Sequence, residues 1–310
     1  MPVADLFIHD SYFQVSPSGY ALATSCLILI CIGLLTVAYR RIADTTLVGP
    51  WWWSIAALVS LASVEIWLTL TAQDIATAAA WRFAMGVGAF CPLMSLLGAK
   101  RPQDRGWHFI VASLWGMLAL PAIETLILRP GQPLAIIDLR AWFLIGLIGL
   151  NLLVLLPTRR WLPSMLVSLG QFCLLWPYLP WVVAETSAAY ATGASLCYLL
   201  AISVVALQRH RAMELPLDSL WLDFRDAFGA LWAARVLERM NAAAVMYDWP
   251  VRLGWNGFHR ADNSTSAVDI SPELAAEMQI TLVNLLRRFV STAWIDARLG
   301  SSAPTETLRA

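Results

Sequence analysis

Charged side chains are scarce in this chain of 310 residues. They make up 14% of the sequence, against roughly a quarter in an average soluble domain, and lysine occurs only once, at Lys100. Hydrophobic residues account for 59% of the chain, and the mean hydropathy is +0.63. This composition indicates a membrane protein. Equal numbers of basic and acidic residues, 21 of each, leave no net charge that would attract nucleic acid.

Sequence motifs for catalysis and metal binding are missing as well. The chain has no HExxH, GxSxG, P-loop or dinucleotide-binding motif. The cysteines stand singly in apolar segments and form no CxxC pair, which predicts small apolar side chains rather than disulfides or zinc ligands. These are Cys26, Cys31, Cys91, Cys173 and Cys197. No histidine lies in the middle of an apolar segment, so haem ligation across a bundle has no candidates. We therefore expect no cofactor, no metal and no enzymatic activity of the chain's own.

What the chain does have is long apolar segments. Crossing a bilayer takes roughly 20 mostly apolar residues in a helix, and backbone groups in lipid must be hydrogen-bonded within the segment. Seven segments qualify, at about 20–39, 52–72, 76–98, 107–128, 140–157, 161–182 and 187–208. The sequence therefore predicts an all-α membrane protein with a seven-helix transmembrane bundle.

The loops between these segments differ in charge. One set carries nine basic residues: Arg40, Arg41, Lys100, Arg101, Arg105, Arg159, Arg160, Arg209 and Arg211. The opposite set carries only Arg129 and Arg140, or three with Arg82. Because basic loops stay in the cytoplasm, this asymmetry predicts a multi-pass protein of a bacterial inner membrane, with its N-terminus outside and its C-terminus inside. The first span follows an acidic leader and is expected to be retained, not cleaved as a signal peptide.

Four regions follow from this threading. Residues 1–19 are a short external segment, 20–211 the transmembrane domain, 212–300 a small, mainly helical cytoplasmic domain and 301–310 a disordered tail. Within the cytoplasmic domain we expect a long helix to about Tyr247, a hairpin turning at Asn256-Gly257, and a second helix capped by Ser271. Such a domain has a thin core, so we expect it to dock on the bundle, on a second copy or on another protein.

Ionisable residues inside the spans are the first candidates for a site, because burying one near the bilayer centre costs at least ~2.5–3.5 kcal/mol unless it is paired or hydrated. Glu65 in the second span and Arg82 in the third lie at similar depth on antiparallel helices. They form either a structural ion pair or a polar pocket for a ligand or ion, with Glu124 of the fourth span as a further member.

The loop after the third span holds the largest basic cluster between spans: Lys100, Arg101 and Arg105. Such a cluster orients the chain and contacts the anionic headgroups of the lipid bilayer. Its second interpretation is a docking surface for Asp218, Asp223 and Asp226 of the cytoplasmic domain.

Residues 51–101 carry a further pattern. It consists of the tryptophan triplet 51–53, Glu65 late in its span, Trp81-Arg82 at the start of the next, and Gly88 and Pro92 before the basic loop. This pattern resembles the seven-helix sensor modules that precede bacterial histidine kinases and cyclic-dinucleotide enzymes, whereas the rest of the chain resembles bacterial multi-pass membrane proteins and implies no activity. The resemblance implies that a ligand or the state of the membrane is sensed and signalled to a cytoplasmic output domain.

Residues 215–300 contain no phospho-acceptor helix, ATP lid or GGDEF motif. The function expected is therefore a non-catalytic sensor or scaffold whose cytoplasmic domain, 212–300, binds a protein partner or a second copy. The alternative is a small-molecule transporter or ligand-binding receptor that uses Glu65 and Arg82.

Overall fold

A computed structural model describes residues 16–101, 104–179, 181–182, 186–208, 216–261 and 271–300, most of them in helices. The helices are α1 Pro17–Tyr39, α2 Val48–Thr71, α3 Ile75–Gly86, α4 Cys91–Leu97, α5 Asp104–Leu118, α6 Leu120–Ile127, α7 Asp138–Leu155, α8 Trp161–Leu175, α9 Ala188–Leu207, α10 Pro216–Met246, α11 Pro272–Leu286 and α12 Thr292–Leu299. Strands β1 Val251–Gly254 and β2 Gly257–Arg260 pair antiparallel. The predicted tail 301–310, the boundary at residue 211 and most of segment 1–19 lie outside the described residues.

Several of these helices are long and apolar enough to cross a membrane. In the described part of the chain there are five: α1, α2, the α3–α4 unit, α7 and α9. A sixth crossing results if α5 and α6, which meet at a bend of 55°, make one span. The predicted span 161–182 is the exception, because α8 has only 15 residues. After α8 the chain forms a 3-10 turn at 176–178, and Pro177 in this turn lacks the N–H that would continue the α-helix.

The third span is broken in its middle. Helix α3 ends at Gly86, residues 87–90 form a 3-10 turn, and α4 begins at Cys91 with Pro92 in its first turn. Proline has no N–H to continue the α-helical ladder, which accounts for the break. The unit lies at the centre of the bundle, with 67% of its most apolar window buried, compared with 22–28% for the other four long spans. It is therefore the most buried of the five long spans.

The chain after residue 216, here called the C-terminal domain, packs around α10. This helix is kinked at Gly229, where φ is +78° and ψ 177°. Trp221, Phe224 and Phe228 of α10 are fully buried, and Met278 of α11 joins the same core. The rings of Phe224 and Phe228 pack against Phe289.

The same hydrophobic core continues into the bundle, through Leu93, Leu96 and Val154. The close approach needs a glycine at position 229, since a Cβ there would lie 2.7 Å from Val154 Cγ1. Of the three expected ways to complete the thin core, docking on the bundle is thus realised within this chain.

Local predictions for the C-terminal domain were met with two exceptions. Ser271 caps α11 by accepting the N–H of Leu274, and α10 ends one residue before Tyr247. The hairpin turn, however, consists of Trp255-Asn256, because Gly257 already pairs with Gly254. Helix α12 was not predicted.

Candidate functional site

Glu65 and Arg82 form a two-pronged ion pair between α2 and α3. The Nε of Arg82 donates to Oε1 of Glu65 at 2.8 Å, and Nη2 donates to Oε2 at 3.0 Å. The side chain of Glu65 is 1% exposed and that of Arg82 19%. Two parallel N–H···O bonds fix both side chains, and the pair carries no net charge.

The short connection between the two helices brings these residues together. Helix α2 ends at Thr71, Ala72 has a left-handed backbone with φ 44°, and α3 begins after Asp74. Asp74 caps α3 by accepting the N–H of Thr77 at 3.0 Å, and hydrogen bonds from Thr77 lower the pKa of its carboxyl. Glu65 and Arg82 thus lie about two helical turns from the same end of the bundle, here called the far end.

Two hollows adjoin the ion pair. The smaller, lined by Glu65, Tyr178 and Tyr190 among others, has a volume of about 10 Å³, which is room for about one water molecule. The larger is half open and has a volume of about 210 Å³. Arg82 and Thr186 line both hollows. Arg82 therefore borders both hollows, whereas Glu65 borders only the smaller one.

The larger hollow offers hydrogen-bonding groups as well as apolar walls. Its polar lining comes from Thr69, Gln73, Arg82 and Thr186, and its apolar lining from Leu68, Ile75 and Ala78. The hydroxyl of Thr186 is buried and has no hydrogen-bond partner among the described residues, and Nη1 of Arg82 reaches only the carbonyl of Thr186, at 3.5 Å. A ligand with a hydrogen-bond acceptor would satisfy these donors.

Glu124, the third residue predicted for this site, lies elsewhere. It pairs with Arg129 at 3.3 Å, and both side chains are about half exposed. It lines neither hollow. An exposed pair of this kind adds little to stability, so Glu124 is a surface residue of α6.

The α3–α4 unit connects the ion pair to the rest of the molecule. Five of its backbone carbonyls accept hydrogen bonds from side chains of other elements: Tyr178 to Ala79, Trp115 to Ala84, Gln171 to Ala89, Trp107 to Met94 and Trp232 to Leu96. The last donor belongs to α10 of the C-terminal domain. A single buried span, broken at its middle, therefore has Arg82 near one end and the C-terminal domain at the other.

The C-terminal domain also binds the loops at its own end of the bundle, here called the junction end. In the loop after α1, the N–H of Thr46 donates to the carbonyl of Phe289, and the carbonyl of Asp44 accepts the N–H of Ser291. In the loop after α7, the N–H of Arg159 donates to Asp226, and Trp255 donates to the carbonyl of Pro157 at 2.7 Å.

The basic loop after α4 is bound as well, through its backbone. The N–H of Arg101 donates to the carbonyl of Arg288 at 2.9 Å. Lys100 is half-buried and Arg101 exposed, whereas the side chain of Arg105 lies outside the described residues.

The three aspartates proposed to meet this loop have other partners. Asp223 binds Arg298 at 2.7 Å, and Asp226 binds Arg225 at 2.8 Å. Asp218 accepts the N–H of Phe258 at 2.8 Å. Burial of Asp218 raises the pKa of its carboxyl against the opposing effect of that hydrogen bond.

Sequence reasoning found the ion pair but missed the connection behind it. Trp107, Trp115 and Trp232 were not among the predicted site residues, although each donates its indole N–H to the α3–α4 unit. Pro92, which breaks that unit, was the available signal. Comparison with models of protein families, with curated proteins and with solved structures finds no match to this chain.

Proposed function

We propose that the chain is a non-catalytic membrane receptor, in which a small ligand bound beside Glu65 and Arg82 changes the state of the C-terminal domain. The α3–α4 unit is the observation that supports this proposal, because it carries Arg82 near the far end and receives Trp232 at the junction end. A ligand that draws Arg82 toward the larger hollow would act directly on this unit, and the 3-10 turn at 87–90 gives it a place to bend.

The proposed topology has seven crossings, with the N-terminus outside and the C-terminus in the cytoplasm of a bacterium. Helix α8 and its 3-10 turn would serve as the sixth crossing. At about 1.5 Å per residue in the helix and 2 Å in the turn, they span roughly 28 Å, close to the ~30 Å of bilayer hydrocarbon. The hollow beside Arg82 would then open to the outside.

The output of such a receptor would be a protein partner or a second copy, bound by residues 212–300. The end of α10 supports this part of the proposal, since Val245, Met246 and Tyr247 are 61–76% exposed. Exposed apolar side chains that adjoin one another are a common feature of protein–protein contacts.

The experiment compares the full-length protein with a variant whose larger hollow is filled, Ala78→Trp. Native mass spectrometry of protein purified in mild detergent reports which small molecules remain bound. We expect a molecule that the wild type retains and the filled variant loses. If both retain the same molecules, or neither retains any, the hollow is not a ligand site and the proposal is refuted.

Coupling between the ligand hollow and the C-terminal domain is measured by the hydrogen exchange of α10, with and without the retained molecule. Trp232→Phe removes the N–H that reaches Leu96 while keeping an aromatic ring. We expect the ligand to change exchange in α10 of the wild type and to lose that effect in Trp232→Phe. Tryptophan 52 is 57% exposed on α2 and has no hydrogen bond to the α3–α4 unit, so Trp52→Phe is the matched control.

A further inference from the structure

A group of basic side chains surrounds the junction end. It comprises Arg40, Arg41, Lys100, Arg101, Arg287 and Arg288, here called the basic collar. Five of the six are exposed, and Lys100 is half-buried. They come from three separate places in the chain: the loop after α1, the loop after α4 and the segment between α11 and α12.

Backbone hydrogen bonds hold these three segments side by side. Arg101 donates to the carbonyl of Arg288 at 2.9 Å, and the loop after α1 is bound at Phe289 and Ser291. Thr45 and Val290 form an isolated antiparallel bridge between the same two segments. The cationic side chains therefore converge because the main chain brings them together, not because acidic side chains attract them.

Asp44 lies in the same loop as Arg40 and Arg41, but no ion pair joins it to the collar. None of the collar's six side chains forms an ion pair with a residue of the described part of the chain. Like charges held close together repel each other and lower the stability of the folded state. An anion from outside the chain would remove that repulsion.

The depth of the collar indicates which anion that is. Arg40 and Arg41 directly follow the last residue of α1, and Lys100 lies three residues after Leu97, the end of the α3–α4 unit. Trp51 packs on Tyr39 at the same level, with ring centroids 4.9 Å apart, and such aromatic residues favour the headgroup layer. Phosphates of anionic lipids occupy that layer, where each nearby basic residue strengthens binding by about fivefold.

We propose that the basic collar binds the headgroups of anionic phospholipids, and that these lipids help to hold the C-terminal domain on the bundle. Arg287 and Arg288 are central, because they belong to the domain while their neighbours in the collar belong to the bundle. This proposal does not depend on the receptor function or on which side of the membrane the collar faces. Free phosphate shares the headgroup chemistry, so the test separates the two sources.

The test uses the full-length protein in nanodiscs of phosphatidylcholine, with or without phosphatidylglycerol. Native mass spectrometry counts the phosphatidylglycerol retained per protein, and thermal unfolding reports stability. Arg287→Gln with Arg288→Gln is expected to weaken retention by about 25-fold, two basic residues at fivefold each, and to remove the stabilisation by phosphatidylglycerol. Arg287→Lys with Arg288→Lys keeps the charge and should keep both effects.

Arg129→Gln with Arg140→Gln is the matched control, because it removes two positive charges away from the collar, one just after α6 and one in the first turn of α7. It should leave retention within about twofold of the wild type. Equal retention by the wild type and the double glutamine variant at 287 and 288 would overturn the proposal, as would an equal loss in the control. Stabilisation by millimolar inorganic phosphate in neutral detergent, equal to that by phosphatidylglycerol, would assign the collar to a soluble anion instead.

Discussion

The ion pair between Glu65 and Arg82 gives the sharpest prediction, because its two members are unequally buried. Arg82→Gln leaves the Glu65 carboxylate 1% exposed and without its partner. Removing one member of a buried pair typically costs about 3–5 kcal/mol, and the carboxylate has no second charged partner in the described residues. We expect the free energy of unfolding to fall by that amount.

Glu65→Gln should cost less. It leaves Arg82 19% exposed beside the larger hollow, where water can solvate the guanidinium, so we expect a loss of about 1–2 kcal/mol. The double variant Glu65→Gln with Arg82→Gln replaces both charges by amides of similar shape and should lie within about 1 kcal/mol of the wild type. The coupling energy of the cycle, the two single costs together less the cost of the double variant, is then about 3–7 kcal/mol.

The assay is equilibrium unfolding in mixed detergent micelles, followed by tryptophan fluorescence. Equal costs for the two single variants, or costs that add in the double variant, would refute this reasoning. Native mass spectrometry of the double variant separates the two interpretations of the pair. Restored stability with loss of a bound molecule favours a ligand site, whereas restored stability with unchanged binding favours a purely structural pair.

Three further predictions concern the C-terminal domain and its contact with the bundle. Gly229→Ala should lower the free energy of unfolding by about 3–5 kcal/mol, because its backbone conformation is open almost only to glycine and a Cβ would collide with α7. Burial raises the pKa of the Asp218 carboxyl in the folded state above its unfolded value near 4. The folded protein therefore loses stability as pH rises through the folded-state pKa and the buried carboxyl ionises. Asp218→Asn should abolish this pH-dependent loss of stability. Trp232→Phe should cost about 1 kcal/mol for the lost hydrogen bond and speed hydrogen exchange in α4.

Controls make these outcomes specific. A Cβ added at Gly193 of α9 would meet nothing within 4 Å, so Gly193→Ala should be neutral or stabilise by up to about 1 kcal/mol; an equal loss in both glycine variants would contradict the backbone argument. For Asp218→Asn, thermal unfolding at pH 4 and pH 8 should show a gain over the wild type at pH 8 only. A gain that is the same at both values would mean that the charge of Asp218 is not its cause.

Features that depend on one element and its neighbour in sequence were predictable. Glu65 and Arg82 lie at matching depth on antiparallel helices, and depth can be counted from the ends of apolar segments. Ser271 caps α11 through a contact three residues away, which local sequence encodes. The ends of α1 and α9 follow the limits of their apolar runs for the same reason.

Features that depend on distant partners were not predictable in this way. Pro92 indicates a break in the third span. The side chains that donate hydrogen bonds to this broken span, such as Gln171 and Trp232, lie about 80 and 140 residues further along the sequence. Counting apolar residues also gives no bend angle, so the fourth predicted span reads as one helix although it turns by 55° after Leu118. Hydropathy likewise predicted a single long helix for 161–182, whereas α8 ends at Leu175 and Pro177 lies in the 3-10 turn that follows, without any loss of apolar content.

The hydrogen bonds between residues 288–291 and the first loops set an order of assembly. The N–H of Ser291 donates to the carbonyl of Asp44, 247 residues earlier in the sequence, so this contact cannot form until residue 291 has been synthesised. Until then, the loops after α1 and α4 stay uncovered at the junction end. Docking of residues 288–291 covers both loops. Proteolysis of the loop at residues 40–47 during synthesis would consequently report the docking of residues 288–291, which lie some 240 residues later in the sequence.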